Sequence, residues 1–293
     1  MTALSRAVAI DAPAKINLAL HVVGQRADGY HLLESLCVFT EFGDRLAVET
    51  SDEDRFEITG PFAGGIPAGG DNLVLRARDA LRRRFPASTP PVSIGLEKNL
   101  PAASGLGGGS SDAAATLTAL ARLWRLPLDS SELKEMGLAL GADVPMCLAR
   151  TPLVARGVGE ALEPLGRFPA LPLVLANPGV EVSTPAVFRA LGRRDNPPLP
   201  PLPVLNDAAA LVDWLAATRN DLAAPAMGCA PVIAEVLEGL DRHGALLSRM
   251  SGSGATCFGL FRDRPAAQTA ADRLRAERPG WFVVATIANG TED

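Results

Sequence analysis

Apolar and polar positions change period several times along this chain, and each change predicts an element. Two apolar runs lie between Arg6 and Val23, on either side of Asp-Ala-Pro-Ala-Lys-Ile-Asn at 11–17. Proline removes a ladder hydrogen bond, so Pro13 predicts a strand pair interrupted at that point. After the polar turn 24–29, His31–Thr40 reads as a mostly apolar strand. Arg45–Thr50 and Arg55–Thr59 read as short strands in a hairpin-like pattern around Ser51–Asp54. Asp71-Asn72 offers an N-cap for a helix to about Arg84, with Leu73, Ala77 and Leu81 on one face. Val92–Leu96 is the next strand. Leu117, Leu120, Ala121 and Trp124 then recur at i, i+3, i+4 and i+7, a core-facing stripe on a helix from Ala113 to Trp124. Asp129 or Ser130 caps a further helix to Leu140, which Gly141 ends.

Beyond Gly157 the order of the patterns changes. Leu171–Ala176 is a buried-type strand, and Thr184–Leu191, Asp207–Thr218 and Pro231–His243 read as helices, the last with Ile233, Val236, Leu237 and Leu240 aligned. Ala245–Met250 and Ala255–Phe261 are strands around the turn Ser251-Gly-Ser-Gly254, followed by a helix at Pro265–Glu277 and a strand at Trp281–Ile287. Strand, helices, strand, strand, helix, strand is the split β-α-β order. It predicts a ferredoxin-like second domain at 158–293 behind a first domain at 1–157. Asp195–Pro203 contains five prolines and reads as a connector or surface loop.

Composition narrows the class. At 293 residues with 47% hydrophobic and 21% charged positions, the chain has material for a large core and is not disordered. A formal net charge of −5 gives no reason to expect a nucleic acid as partner. No apolar run approaches the roughly 20 residues of a membrane span, so no membrane partner is expected. Cys37, Cys147, Cys229 and Cys257 are far apart, and with no secretory leader read in 1–15 they predict reduced thiols and a cytoplasmic protein. His21, His31 and His243 are scattered, so no protein-held metal site is expected. Oligomeric state is not legible.

The chemistry gathers at Pro101-Ala102-Ala103-Ser104-Gly105-Leu106-Gly107-Gly108-Gly109-Ser110-Ser111-Asp112, which leads straight into a helix. Four glycines within five positions let backbone N–H groups converge on a ligand, and the helix start adds unpaired N–H groups and a positive dipole end. This is a phosphate seat, and it suggests a nucleotide-dependent phosphotransferase. It is neither the Rossmann fingerprint, which needs a glycine at Ser110, nor the Walker loop, which needs a lysine before Ser110-Ser111. A flexible linker is the plain alternative. Ser110 or Ser111 could touch phosphate or Mg²⁺, or merely cap the helix. Asp143 in Gly-Ala-Asp-Val-Pro is a turn residue or a catalytic carboxylate, and Lys15 an exposed edge-strand lysine or a buried cation. If they met, each would offset the other's burial and the pair would suit hydroxyl activation. Asp28-Gly-Tyr30-His31 presents two rings in a chain with 5% aromatics and no other tyrosine, and Phe188 adds a third. These rings either pack or stack on a planar base. Ser251–Ala255 is a tight hairpin or a second backbone cradle.

Together these stretches resemble the GHMP kinase superfamily. Pro-Ala-Lys-Ile-Asn (13–17), Pro101–Ser111 and Ser251–Ala255 carry the resemblance, over about residues 12–261. Ala27-Asp-Gly-Tyr-His31, Lys98-Asn-Leu-Pro101, Gly141-Ala-Asp-Val-Pro145 and Asn177-Pro-Gly are similar to the branch that phosphorylates a cytidine diphosphate-linked methylerythritol on the non-mevalonate isoprenoid pathway. The resemblance implies an α+β two-domain GHMP kinase fold, with a ribosomal-S5-like N-terminal domain and a ferredoxin-like C-terminal domain. It implies ATP and Mg²⁺ as cofactors, with residues 101–111 on the ATP phosphates and Lys15 and Asp143 as the catalytic pair. It also implies that Asn17 lies at the reacting end of the substrate, with Tyr30, His31, Thr184 and Phe188 around the cytosine. A homoserine or mevalonate kinase, or a non-catalytic relative, is the alternative. Ala103-Ser104 departs from the glycine or alanine pair usual in relatives.

Overall fold

The structure is a computed structural model that describes residues 7–204 and 207–288; Arg6, where the first apolar run was read to begin, lies outside them. Contacts group the chain into two compact units. The first takes residues up to 14, 43–102 and 107–150, and the second takes 15–42, 103–106 and 151 onward. The units therefore interleave along the sequence, whereas the predicted domains follow one another at 157. Strands β1 (Ala7–Gln25) and β2 (His31–Thr50) each run through both.

Pro13 does not interrupt β1, which is one strand of 19 residues. The reason lies on β2. A side chain at Gly43 would sit 2.2 Å from the Ala12 carbonyl oxygen and 2.6 Å from Pro13 Cα, so only glycine lets β2 pass this close to the proline. The two predicted strands 31–40 and 45–50 likewise merge into β2 through that glycine. The hairpin expected between β2 and β3 (Arg55–Thr59) is not formed. From β3 the chain runs through α1 (Leu73–Arg84) to β4 (Val92–Glu97), which pairs parallel with β3 and antiparallel with Arg45–Thr50 of β2. A parallel neighbour needs a crossover connection, and α1 supplies it.

In the first unit α1 starts at Asn72, whose side chain accepts from Val74 N, as the sequence predicts. The helix α2 (Gly108–Leu123) begins five residues earlier than predicted, inside the glycine stretch. It is buried almost all round; Ala113, Ala115, Leu117, Ala119 and Leu120 have no exposed surface. Its alanines let α1, α3 (Ser130–Leu140) and α4 (Val144–Ala149) pack closely on it. Between the two predicted caps of α3, Asp129 is the one used, in a capping box with Glu132.

The second unit adds β5 (Leu153–Gly157), paired with 33–37 of β2, and β6 (Ala161–Pro164), neither predicted. It continues as β7 (Leu171–Asn177), α5 (Thr184–Arg189), α6 (Ala208–Ala216), α7 (Ala223–Cys229), α8 (Val232–Arg242), β8 (Leu247–Met250), β9 (Cys257–Leu260), α9 (Arg264–Glu277) and β10 (Phe282–Ala288). The four strands stand in the order β10-β7-β9-β8, all antiparallel, which is the arrangement the split β-α-β pattern predicts. Val174, Ile233, Val236, Leu240, Phe261 and Leu274 form its core, each contributing about 1.5–3 kcal/mol on burial. Residues 195–203 have no regular structure. Hydrogen bonds from Asn196 to Val22, Leu199 N to Glu34 and Trp214 Nε1 to Pro201 strap them along the unit. Among the described residues no single helix is long and apolar enough to cross a membrane.

Candidate active site

Lys15 is buried, 6% exposed, and its ammonium donates to the Asn17 carboxamide oxygen at 2.8 Å. The two side chains share a face because they are two residues apart on β1. Lys15 N donates to Leu106 O at 2.8 Å, which ties the strand to the loop 103–106. Asn17 N donates to Ser251 Oγ at 3.1 Å, and that hydroxyl donates to Gly105 O at 3.2 Å. A single serine thus joins the lysine strand, the loop and the second glycine turn.

The turn 251–254 is built for close backbone approach. Gly252 and Gly254 have φ of +57° and +87°. A Cβ at Gly105 would stand 2.6 Å from Ser251 O and 2.9 Å from Gly254 O, and Gly105 has φ +78°, so glycine is required there twice over. Thr256 N donates to Ser104 O at 3.1 Å. Ala103, at φ +48°, is strained for a residue with a Cβ, as at many ligand-binding turns. With Gly107 at φ +66°, positive φ alternates with other backbone conformations from 103 to 107, a nest-like backbone.

On the first unit the glycine stretch runs into the start of α2. Gly107 is its N-cap, and the N–H groups of Gly108, Gly109 and Ser110 precede any intrahelical acceptor. Ser111 Oγ is fully buried without a hydrogen-bond partner. Beneath lies a buried cluster: Lys98 Nζ donates to Asp44 and, at 2.7 Å, to Asp112 Oδ2. Asp44 also accepts from Asn99 N and Leu100 N, fixing the turn into the loop. Burial opposes the Lys98 charge, but Asp112 and Asp44 outweigh it and hold the amine above the ordinary lysine value. Burial pushes Asp112 up to about 7, against the pull of Lys98 and with the Asp44 carboxylate adding to the rise. Asp143 is the half-buried N-cap position of α4, with Pro145 in the first turn, and its side chain makes no capping hydrogen bond. The segment read as a turn at 141–145 is therefore a helix start.

In the second unit His31 stacks on Phe188, centroids 4.7 Å apart and planes at 28°. Burial, and then the nearby Arg194 charge, lower the His31 pKa, so the ring is neutral near pH 7. Its Nε2 is buried without a partner. Tyr30 is 65% exposed. Thr184 Oγ1 lies 2.7 Å from Ser253 Oγ, which links the start of α5 to the glycine turn.

Two family models match this chain, GHMP kinases N terminal domain over residues 72–150 and GHMP kinases C terminal over 204–279. It is 57% identical over 282 residues to the 4-diphosphocytidyl-2-C-methyl-D-erythritol kinase of Mesorhizobium japonicum, covering 96% of each chain. The chain belongs to the GHMP kinases. A solved 4-(cytidine 5'-diphospho)-2C-methyl-D-erythritol kinase superposes with TM-score 0.81 at 37% identity, covering 97% of this chain and 100% of that one. A homoserine kinase from Cytophaga hutchinsonii, 18% identical at TM-score 0.66 over 99% and 96% of the chains, shares the fold alone. The two-domain α+β fold and ATP-dependent kinase activity follow from family membership.

Of the residues read from sequence, this GHMP kinase brings Lys15, Asn17, loop 103–106 and Ser251 together in one unit, with His31 stacked on Phe188 and Thr184 bonded to Ser253. Asp143 and residues 107–111 belong to the other unit. Several supporting residues went unread. Ser35 and Cys37 receive the Asn17 amide at 2.7 and 3.3 Å. Asn220 donates to Met250 O and Gly252 O, and Arg249 to the carbonyls of Leu18, Leu215 and Thr218. An Asn or Arg bonded to backbone has no periodic signature, so no pattern along the chain marks it.

Proposed function

We propose that this kinase transfers the γ-phosphoryl group of ATP to the 2-hydroxyl of 4-diphosphocytidyl-2-C-methyl-D-erythritol, in non-mevalonate isoprenoid precursor biosynthesis. The observation that carries the substrate is the His31–Phe188 stack. A neutral imidazole flat on a phenyl ring, with one ring nitrogen unpaired, suits a planar, hydrogen-bonding base such as cytosine. Tyr30 and Thr184 extend that site. Homoserine and mevalonate offer no base for it.

The reaction needs positioning and charge neutralisation more than covalent help. The N–H groups of Gly108, Gly109 and Ser110, unpaired at the start of α2, hold phosphate. Ser111, buried and unpartnered, fits a role toward phosphate or Mg²⁺. In this reading Mg²⁺ arrives with the nucleotide. Mg²⁺ bound there would supply neutralisation of the phosphate charge. Asp143 orients the acceptor hydroxyl and takes its proton, and the Lys15 ammonium offsets charge on the transferring group. This reading includes a cytoplasmic location.

A panel of alcohols with ATP tests the substrate: phosphorylation of the cytidyl compound is expected, and turnover of mevalonate or homoserine instead would refute it. Asp143→Asn should cut kcat by at least ~10²-fold with ATP binding retained. Near-normal turnover in that variant would remove Asp143 from the mechanism.

A further inference from the structure

Lys15 is held by Asn17, and Asn17 is itself held from the neighbouring strand. Its nitrogen donates to Ser35 Oγ at 2.7 Å, with Cys37 Sγ at 3.3 Å, while its oxygen faces Lys15. Ser35 Oγ lies 2.7 Å from the Ala19 carbonyl oxygen. Lys15, Asn17, Ser35 and Cys37 are 6%, 5%, 4% and 0% exposed, so water does not compete for these bonds.

Counting protons fixes the direction of the chain. A carbonyl only accepts, so the single Ser35 proton goes to Ala19, and toward Asn17 the hydroxyl can act only as acceptor. The Asn17 NH₂ must therefore face Ser35, which leaves the carboxamide oxygen on the Lys15 ammonium. The opposite flip would set NH₂ against an ammonium and an oxygen against a hydroxyl with no proton left to give. Both ends of the chain demand the same orientation.

We propose that Ser35 is a positioning residue for phosphoryl transfer, acting through Asn17 to fix the oxygen that aims the Lys15 ammonium. This rests on the reading of Lys15 as the catalytic lysine. It also gives Asn17 a task other than substrate binding, since both hydrogens of its amide and its oxygen are engaged inside the protein.

The test compares Ser35→Ala, Ser35→Thr and Lys15→Ala in the full-length kinase. Turnover is expressed per nucleotide-binding site counted by calorimetry, so that misfolded chains do not count. Loss of one buried hydrogen bond that matters in the transition state should lower kcat of Ser35→Ala by roughly tenfold. KM for ATP and for the cytidyl substrate should stay within about twofold, and Ser35→Thr, which keeps the hydroxyl, should stay within about threefold of the parent. Unchanged kcat per site in Ser35→Ala overturns the proposal, whether or not fewer sites are counted. So does a Ser35→Thr loss as large as that of alanine. Lys15→Ala separates the two readings. Near-parent kcat there means the lysine assignment has failed. Collapse there with normal turnover in Ser35→Ala means that only the positioning role has.

Discussion

Lys98 carries two carboxylates on one ammonium, and burial, with the Asp44 carboxylate beside it, raises the Asp112 pKa. Its folded value of about 7 stands above the ordinary 3.8. Between those values the folded chain holds a proton that the unfolded chain has released, so stability from this group is full below about 3.8 and is lost as pH rises through about 7. Asp112→Asn has no such proton. Denaturant unfolding from pH 4 to pH 8 should show the parent losing stability relative to the variant, and a difference constant with pH would dismiss the assignment. At this scale the sequence named the residues well but not their partners. Lys98 and Asp112 could be read as parts of motifs, whereas Asp44, 54 positions from Lys98, gives no sign along the chain that it joins them. Gly105 is similar. Its composition announces flexibility, but its need for glycine comes from Ser251 O and Gly254 O, which approach from 146 or more residues away.

Capping is local, and so helices with a side-chain cap were legible, whereas α4 and α7, which have none, were not read. Asp129 accepts from Ser131 N and Glu132 N, while the Glu132 side chain returns to Asp129 N. Asp129→Ala should therefore cost about 0.5–2 kcal/mol of stability by chemical denaturation. Ser130→Ala, which removes no part of this box, should stay within about 0.5 kcal/mol. Equal losses would contradict the cap. Strands were read less well, because their limits are set by what lies beside them. Pro13 looks like a break until Gly43 is found against it. Arg55–Thr59 looks like the second arm of a hairpin until β4 takes the place between. The early start of α2 has the opposite cause. Gly108 and Gly109 disfavour a helix by propensity, but the residues that follow are buried on all sides, and packing outweighs the local cost.

For the molecule as a whole, a ligand that binds only the folded chain raises its stability by mass action. A non-hydrolysable ATP analogue with Mg²⁺ at about 100 times its Kd should add about 2.7 kcal/mol. The melting temperature should then rise with the logarithm of analogue concentration, and no rise at any concentration would argue against a phosphate seat at 101–111. The ferredoxin-like order of the second unit was legible because it depends on the sequence of element types, and few antiparallel arrangements satisfy that order with short connections. The interleaving of the two units was not, since β1 and β2 each serve both and nothing in their period marks the change.

The sequence by itself determined most of the helices, though not α4 or α7, with the caps at Asn72 and Asp129, the order of the second half, and the motifs that mark a GHMP kinase. These are encoded by neighbours within a few positions, where hydrogen bonding and side-chain period act directly. Only the tertiary structure decided that Asn17 turns its oxygen to Lys15, that Ser35 stands behind it, and that His31 lies on Phe188. Those relations join residues 2 to 157 positions apart across strands and a helix. They exist because burial removes water as a competing partner, and each polar group must then find its match in the fold.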